Sequence, residues 1–361
     1  MRIETDRTLL LDWFRQVRRD LPWRRTHDPY LIWISEIMLQ QTRVDQAKPY
    51  YERFVNRHPD VASLARADLD EVLRLWEGLG YYSRARNMHK AARQIVDLHD
   101  GIFPETYDDV IALQGIGPYT AAAVTSIAFN EPRAVVDGNV IRVISRLYGI
   151  GEDVRLTSTL KRIANRADEL LDRTQPGDFN QAMMELGATV CTPKTPSCPS
   201  CPLQNSCHAW QHDRVSHYPF KSPGKKRPHH QIAVGVIRDD RGRMLIARRP
   251  DHAMLGGLWE FPGGKQEPGE SLTGTVQREL REELGVDVTV DPEPFEVIRH
   301  AYSHFTITLH AFFASLADGS APPKAKNDEP FRWVPAYELA DFAFPKANRK
   351  ITEALVKYSV E

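Results

Sequence analysis

Apolar residues in the first three-fifths of the chain recur with a helical period, and after Gln231 they follow a strand-like one. Over residues 5–17, Leu9, Leu10, Trp13, Phe14 and Val17 share one face of an amphipathic helix. Pro29 opens a helix over residues 30–43 that is apolar almost all round, which predicts burial. Further on, Val110, Ile111 and Leu113 end one helical pattern, and a small apolar run over 120–128 forms the next. Gly115 and Gly117 lie between them. Residues 232–237 and 244–247 read as strands joined by a turn at 239–242, and residues 273–284 read as a helix. The two regimes predict a multidomain chain. An all-α domain covers 1–214, a linker rich in proline, lysine and glycine covers 215–230, and an α+β domain covers 231–361.

Composition narrows this only slightly. The chain has 361 residues and is 42% hydrophobic, enough for two or three sizeable cores. Its net charge of −1 leaves no chain-wide footprint for nucleic acid, so any such face must come from local clustering. The start of the sequence carries charges where a signal peptide needs an apolar core, and no apolar run is long enough to span a bilayer. A cytoplasmic protein with reduced thiols is the expectation. All four cysteines fall between Cys191 and Cys207, spaced C-x6-C-x2-C-x5-C. That density argues against a disulfide framework and for one metal centre, and the spacing alone allows either zinc or a [4Fe–4S] cluster.

Several residues are chemically out of place. Glu36 lies inside the apolar helix, where a carboxylate is costly and a neutral acid with a raised pKa is not. Gly115 and Gly117 would leave free amide N–H groups at a helix start, which attract phosphate. Asp137 follows Gly117 by twenty residues, in the run Asp137-Gly-Asn139. Trp23 and Arg24 could stack on a base. Around Tyr81, glycines, tyrosines and arginines alternate, as a wedge into a base stack requires. Glu279, Glu282 and Glu283 share one helix face behind Gly263-Gly264 and suit Mg²⁺.

The run Leu113–Ala121 with Val135–Val140 resembles the helix-hairpin-helix DNA glycosylases of the endonuclease III superfamily, and residues 35–44 (SEIMLQQTRV) are similar to its adenine glycosylase branch, MutY. The resemblance implies a base-excision repair enzyme that flips adenine out of duplex DNA and hydrolyses its glycosidic bond. It implies Glu36 as the proton donor to adenine, Asp137 as the anion beside the oxocarbenium-like sugar, and Asn139 as an orienting amide. Trp23, Arg24, Leu79 and Gln181 would line the adenine site. Gln41, Thr42, Tyr81, Gly115 and Gly117 would meet the DNA, with Tyr81 as the wedge. Strand-cutting relatives carry lysine where this chain has Tyr119. A phenol cannot form their Schiff base, so water is the expected nucleophile. The cysteines Cys191, Cys198, Cys201 and Cys207 match a [4Fe–4S] loop.

The pattern from Gly264 through Glu270 and Arg278 to Val286 resembles the complete Nudix box of MutT-like hydrolases. In the adenine glycosylases a MutT-like domain reads 8-oxoguanine. By that match Tyr302, Ser303, His304 and Asn348 would do so here, the partner being duplex DNA with an A·8-oxoguanine or A·G mispair. The box also suggests bound Mg²⁺ and hydrolysis of 8-oxo-dGTP. The chain is expected to act as a monomer. Two rivals stay open: a nucleotide-pool pyrophosphohydrolase whose first half only binds DNA, and an endonuclease III-like glycosylase that also cuts the strand.

Overall fold

The computed structural model describes residues 2–224, 226–250, 253–302, 304–324 and 330–358. They form two compact units, Met1–Arg66 with Asn87–Gly224, and Ala67–Arg86 with Lys225–Glu361. The first unit is therefore discontinuous, with a twenty-residue excursion between its two pieces.

The first unit is helical. Helix α1 (Arg2–Val17) and α2 (Pro29–Leu39) follow the predicted pattern. Asp28 caps α2 by accepting from the Tyr30 N–H, and Pro29 takes the first helical position, where no amide is needed. The helix expected to reach residue 43 stops at Leu39, where polar residues begin and Gln41 turns into the left-handed region at φ 56°. α3 (Val44–Arg57) and α4 (Val61–Arg66) follow. After α5 (Leu69–Trp76), which belongs to the second unit, α6 (Ser83–Leu98) crosses from one unit to the other. The hairpin pattern becomes α7 (Tyr107–Ala112) and α8 (Pro118–Phe129). Buried small residues on α8, Ala121, Ala122 and Ala123 among them, let α2 lie against it.

Next come α9 (Gly138–Tyr148), α10 (Thr157–Leu170), α11 (Pro176–Thr189) and the short α12 (His208–Gln211). Gly187 permits the close meeting of α11 and α9, since a Cβ there would lie 2.4 Å from the Asn139 Cβ. Leu10, Phe14, Ile144, Phe179 and Leu186 are fully buried where α1, α9 and α11 converge. Each such side chain contributes about 1.5–3 kcal/mol. Residues 215–224 are not a free linker. Val154 donates to the Phe220 carbonyl at 3.0 Å, and Arg155 donates to the Pro223 carbonyl at 3.2 Å.

The second unit is α+β. Its strands are β1 (His229–Ile237), β2 (Met244–Arg248), β3 (Trp259–Glu260), β4 (Gly263–Lys265), β5 (Val288–Val290), β6 (Glu296–Ala301), β7 (Thr306–Leu316) and β8 (Phe331–Val334). One sheet runs β4-β1-β7-β5 with β6 also on β7, and the other runs β3-β2-β8. β1 and β7 pair in parallel from His229 against Thr306 to Ile237 against Ala314. Alternate residues of β1 enter different cores. Val234 and Val236 join Phe344 and Ile351 on the side of α14 (Lys346–Tyr358), whereas Ala233 and Ile237 join Val276 and Leu280 of α13 (Leu272–Leu284). Burial on both faces is why this strand reads as a continuous apolar run. Among the described residues no helix is long and apolar enough to cross a membrane.

Candidate active site

Glu36 is where the apolar helix leads. α2 carries it into the first unit at 4% exposure, and a cavity of about 160 Å³ opens beside it. Trp23, Arg24, Thr42, Tyr119, Asp137, Asn139 and Gln181 line the same cavity. Tyr119, one residue into α8, donates to Glu36 Oε2 at 2.5 Å. Asp137 caps α9, accepting from the Val140 N–H at 2.7 Å and from the Asn139 amide at 2.8 Å. The Arg142 guanidinium in turn donates to Asn139 Oδ1 at 2.9 Å and to the Gly187 carbonyl at 2.7 Å.

The two carboxyls differ in what surrounds them. Burial pushes Glu36 up to about 7, opposed by the Tyr119 hydrogen bond and Arg24 and reinforced by the negative charge of Asp137. Burial raises Asp137 as well, but the Val140 N–H, the Asn139 amide and Arg142 all oppose the rise. Tyr119 is driven far above a normal phenol, first by burial and then by the nearby carboxyls, so it stays a neutral donor. The cavity therefore joins an acid able to hold a proton near neutral pH to a carboxyl whose anionic form is hydrogen-bonded.

Sequence reading missed two members of this wall, Arg19 and Glu185. Glu185 on α11 is 1% exposed and accepts from Arg19 Nε at 2.7 Å, Arg19 Nη2 at 2.8 Å and Arg24 Nη2 at 2.8 Å. Against the cost of burial, these donors hold its pKa at about 2. The available signal was a glutamate on a largely buried helix facing the arginines of a polar turn.

Leu79, expected beside the adenine, lines a different cavity, of about 590 Å³ in the second unit. Its loop is bent by Gly78 and Gly80, with φ of 99° and 71°, and belongs to the excursion that joins that unit. Tyr81, Tyr302 and His304 line this cavity too, with Arg86 and with His300 and Lys346, the last two not singled out by the sequence. Ser303 lies outside the described residues. Asn348 is not part of the cavity. It is 8% exposed, its side chain accepts from the Phe261 N–H at 3.5 Å, and α14 directs it into the core.

Two expected DNA-facing residues have unusual backbone. Gln41 has φ 56° and Tyr81 has φ 49°, and both are exposed. Left-handed non-glycine residues concentrate at sites where strain is retained for use. In the hairpin only Gly115 has a positive φ, at 76°. Gly117 is the extended cap of α8, with open space around it.

Cys191, Cys198, Cys201 and Cys207 are free thiols around one small cavity that Arg146 and Trp210 also line. Arg146 donates to Cys191 Sγ at 3.3 Å. Burial pushes Cys198, Cys201 and Cys207 up, Cys201 to about 12. Half-buried all-sulfur donors with a cation beside them fit a thiolate-held iron–sulfur centre, which would offset the desolvation of the thiolates. The expected Mg²⁺ site is less well formed. Glu279 pairs with Arg278 at 2.9 Å, Glu282 is half-exposed, and Glu283 is half-buried and pushed up to about 8 by burial and the neighbouring Glu260 and Glu279. Among the described residues no three His, Cys, Asp or Glu side chains, the four cysteines included, are gathered to hold a single ion.

These two units match known families. Residues 34–173 match the HhH-GPD superfamily base excision DNA repair protein family, and residues 233–354 match the NUDIX domain. The chain is 30% identical to a thermostable thymine-DNA glycosylase of known structure, with a TM-score of 0.54, covering 58% of this chain and 97% of that one. The fold and cavity thus define a helix-hairpin-helix DNA glycosylase with a C-terminal Nudix unit. The Mus musculus adenine DNA glycosylase is 34% identical over 96% of this chain and 76% of its own length. That of Buchnera aphidicola from Acyrthosiphon pisum is 37% identical over 85% of this chain and 86% of its own. The chain belongs to the adenine DNA glycosylase family.

Proposed function

We propose that this adenine DNA glycosylase acts on adenine opposite 8-oxoguanine or guanine in duplex DNA, with Glu36 as acid and Asp137 as electrostatic partner. The observation that carries the reading is their shared cavity, in which Glu36 holds its proton near neutral pH. The adenine is flipped into that cavity, between Trp23, Arg24 and Gln181. Glu36 protonates a ring nitrogen, the bond from adenine to C1′ breaks, and the electron pair leaves with the base. Asp137, oriented by the Asn139 amide, stabilises the positive sugar. Water then attacks C1′ and gives its proton to the Glu36 carboxylate left by the first step, which restores the acid. Tyr119 has no amine to form a Schiff base, so borohydride is expected to trap no covalent DNA adduct.

In this reading the free N–H groups at the start of α8, with Gln41 and Thr42, take the DNA backbone. Tyr81 enters the stack, and the larger cavity with Tyr302 and His304 receives the oxidised guanine. Cys191, Cys198, Cys201 and Cys207 would hold a [4Fe–4S] cluster, which supplies a rigid frame for the loop beside Arg146. Hydrolysis of 8-oxo-dGTP would be a separable second activity, which release of pyrophosphate from it with Mg²⁺ by the full chain would establish and its absence would reject.

The test is single-turnover adenine release from A·8-oxoguanine, A·G and A·T duplexes by the wild type and by Glu36→Gln. The expected result is release from the first two substrates only, reduced about 10²–10⁴-fold by the substitution. Full release by Glu36→Gln would overturn the assignment.

A further inference from the structure

The proposed mechanism leaves one buried carboxylate unused. Glu185 lies on the same cavity wall as Glu36, and both its oxygens are occupied by arginine. Arg19 reaches it with Nε and Nη2 as a two-pronged pair, and Arg24 adds a third bond. Arg24 is further held by its bond to the Arg19 carbonyl at 3.2 Å and by the Phe14 ring, 5.4 Å away. One anion therefore fixes two cations.

The charges around the acid can be followed element by element. Arg24 comes from the turn Pro22–Arg24, Tyr119 from α8, Asp137 from the cap of α9 and Glu185 from α11, and Asp45 of α3 acts on Arg19. With Glu36 and Tyr119 neutral, two positive and two negative side chains line the cavity. Without the anion at 185, both guanidiniums lose their carboxylate partner, and Arg24, with 11% of its side chain exposed, loses it in a site largely shielded from water. The remaining carboxyls within the cavity are Asp137 and Glu36. A released arginine would turn to them, and an arginine paired with Glu36 favours its ionised form.

We infer that Glu185 is a positioning residue for the glycosylase reaction: it anchors the Arg19–Arg24 pair along one wall and keeps that positive charge from capturing the acid Glu36. The inference rests on the reading of Glu36 as proton donor.

The experiment measures single-turnover adenine release against pH for the full-length wild type, Glu185→Gln, Glu185→Asp and Arg19→Gln. Activity needs protonated Glu36, so the rate falls as pH rises through its pKa. Glu185→Gln should move that falling limb down by about one pH unit or more. It should lose about tenfold at pH 7 and recover most of the loss at pH 5.5. Glu185→Asp, which keeps the anion, should restore the limb toward its original place. Arg19→Gln leaves Glu185 to Arg24 alone and should move the limb the other way, to higher pH. Arg19 is partly exposed, so this variant tests the idea even if Glu185→Gln folds poorly. A uniform loss at every pH, or limbs that move in the same direction in Glu185→Gln and Arg19→Gln, would overturn the inference. A wild-type limb that persists unchanged in Glu36→Gln would instead overturn the reading on which it rests.

Discussion

The Tyr119 hydroxyl donates to Glu36 Oε2 at 2.5 Å, so one carboxyl oxygen is occupied and the other is left to carry a proton. This bond lowers the pKa of Glu36 against the larger, opposite effect of burial. Tyr119→Phe removes the donor and keeps the ring. The falling limb of adenine release should then move to higher pH by about one unit, because an unbonded buried carboxyl ionises less readily. A profile that stays in place, or moves to lower pH, would show that the phenol does not tune the acid.

Glu36 also ties stability to pH. Its folded pKa of about 7 lies above the ordinary carboxyl value of 4.5. Protons therefore bind the folded state more tightly than the unfolded one. The native fold is undisturbed by this group below about pH 4.5 and loses stability as pH rises toward 7. The cost at pH 8 is about 3 kcal/mol. Glu36→Gln cannot ionise and still offers an oxygen to Tyr119. The variant should melt above the wild type at pH 8 and level with it at pH 4.5, while adenine release is lost. Equal melting temperatures at both pH values would contradict the raised pKa.

Much of the cavity was visible in the chain because its members break local rules. Glu36 interrupts an apolar helix, and Asp137 stands next to a glycine before an apolar pattern resumes. The partners of Glu185 were not visible. Arg19 is 166 residues away, and nothing local marks which arginine meets which glutamate. The excursion Ala67–Arg86 was hidden for the same reason, since its attachment to the second unit rests on pairs such as Arg349 with Glu77, 272 residues apart. The burial of Asn348 was not visible either: its place in a motif named the residue, but only the fold shows it on α14 beside Phe261.

The two hairpin glycines should behave differently. Gly115 has φ 76°, and a Cβ there would sit 2.4 Å from the Asn87 Cβ. Gly115→Ala combines backbone strain with a clash and should cost about 1–3 kcal/mol in denaturant unfolding. Gly117 has ordinary extended backbone at φ −100° and open space. Gly117→Ala should keep stability within about 0.5 kcal/mol but place a methyl before the free N–H groups of α8, weakening duplex affinity several-fold. Unchanged affinity in Gly117→Ala would remove the hairpin from the proposed DNA contact.

The final prediction concerns the loop that carries Tyr81. Glu77 ends α5 immediately before Gly78, and Arg349 of α14 holds both its oxygens, Nε to Oε1 and Nη2 to Oε2, at 2.5 Å each. Arg349 is itself fixed by the Phe342 carbonyl at 3.0 Å and stacks 5.7 Å from the Phe344 ring centre. Such a partly buried, two-pronged pair locks direction as well as distance, which a lysine would not do. Tyr81 holds its left-handed backbone four residues beyond this anchor. If the clamp aims the wedge, Arg349→Ala and Glu77→Ala should each weaken binding to an A·8-oxoguanine duplex by about tenfold, or about 1.4 kcal/mol. The double variant should lose no more than either single, because the second change removes a partner already idle. Losses that add in the double-mutant cycle would assign the two residues separate roles and leave the wedge to be positioned by its glycines alone.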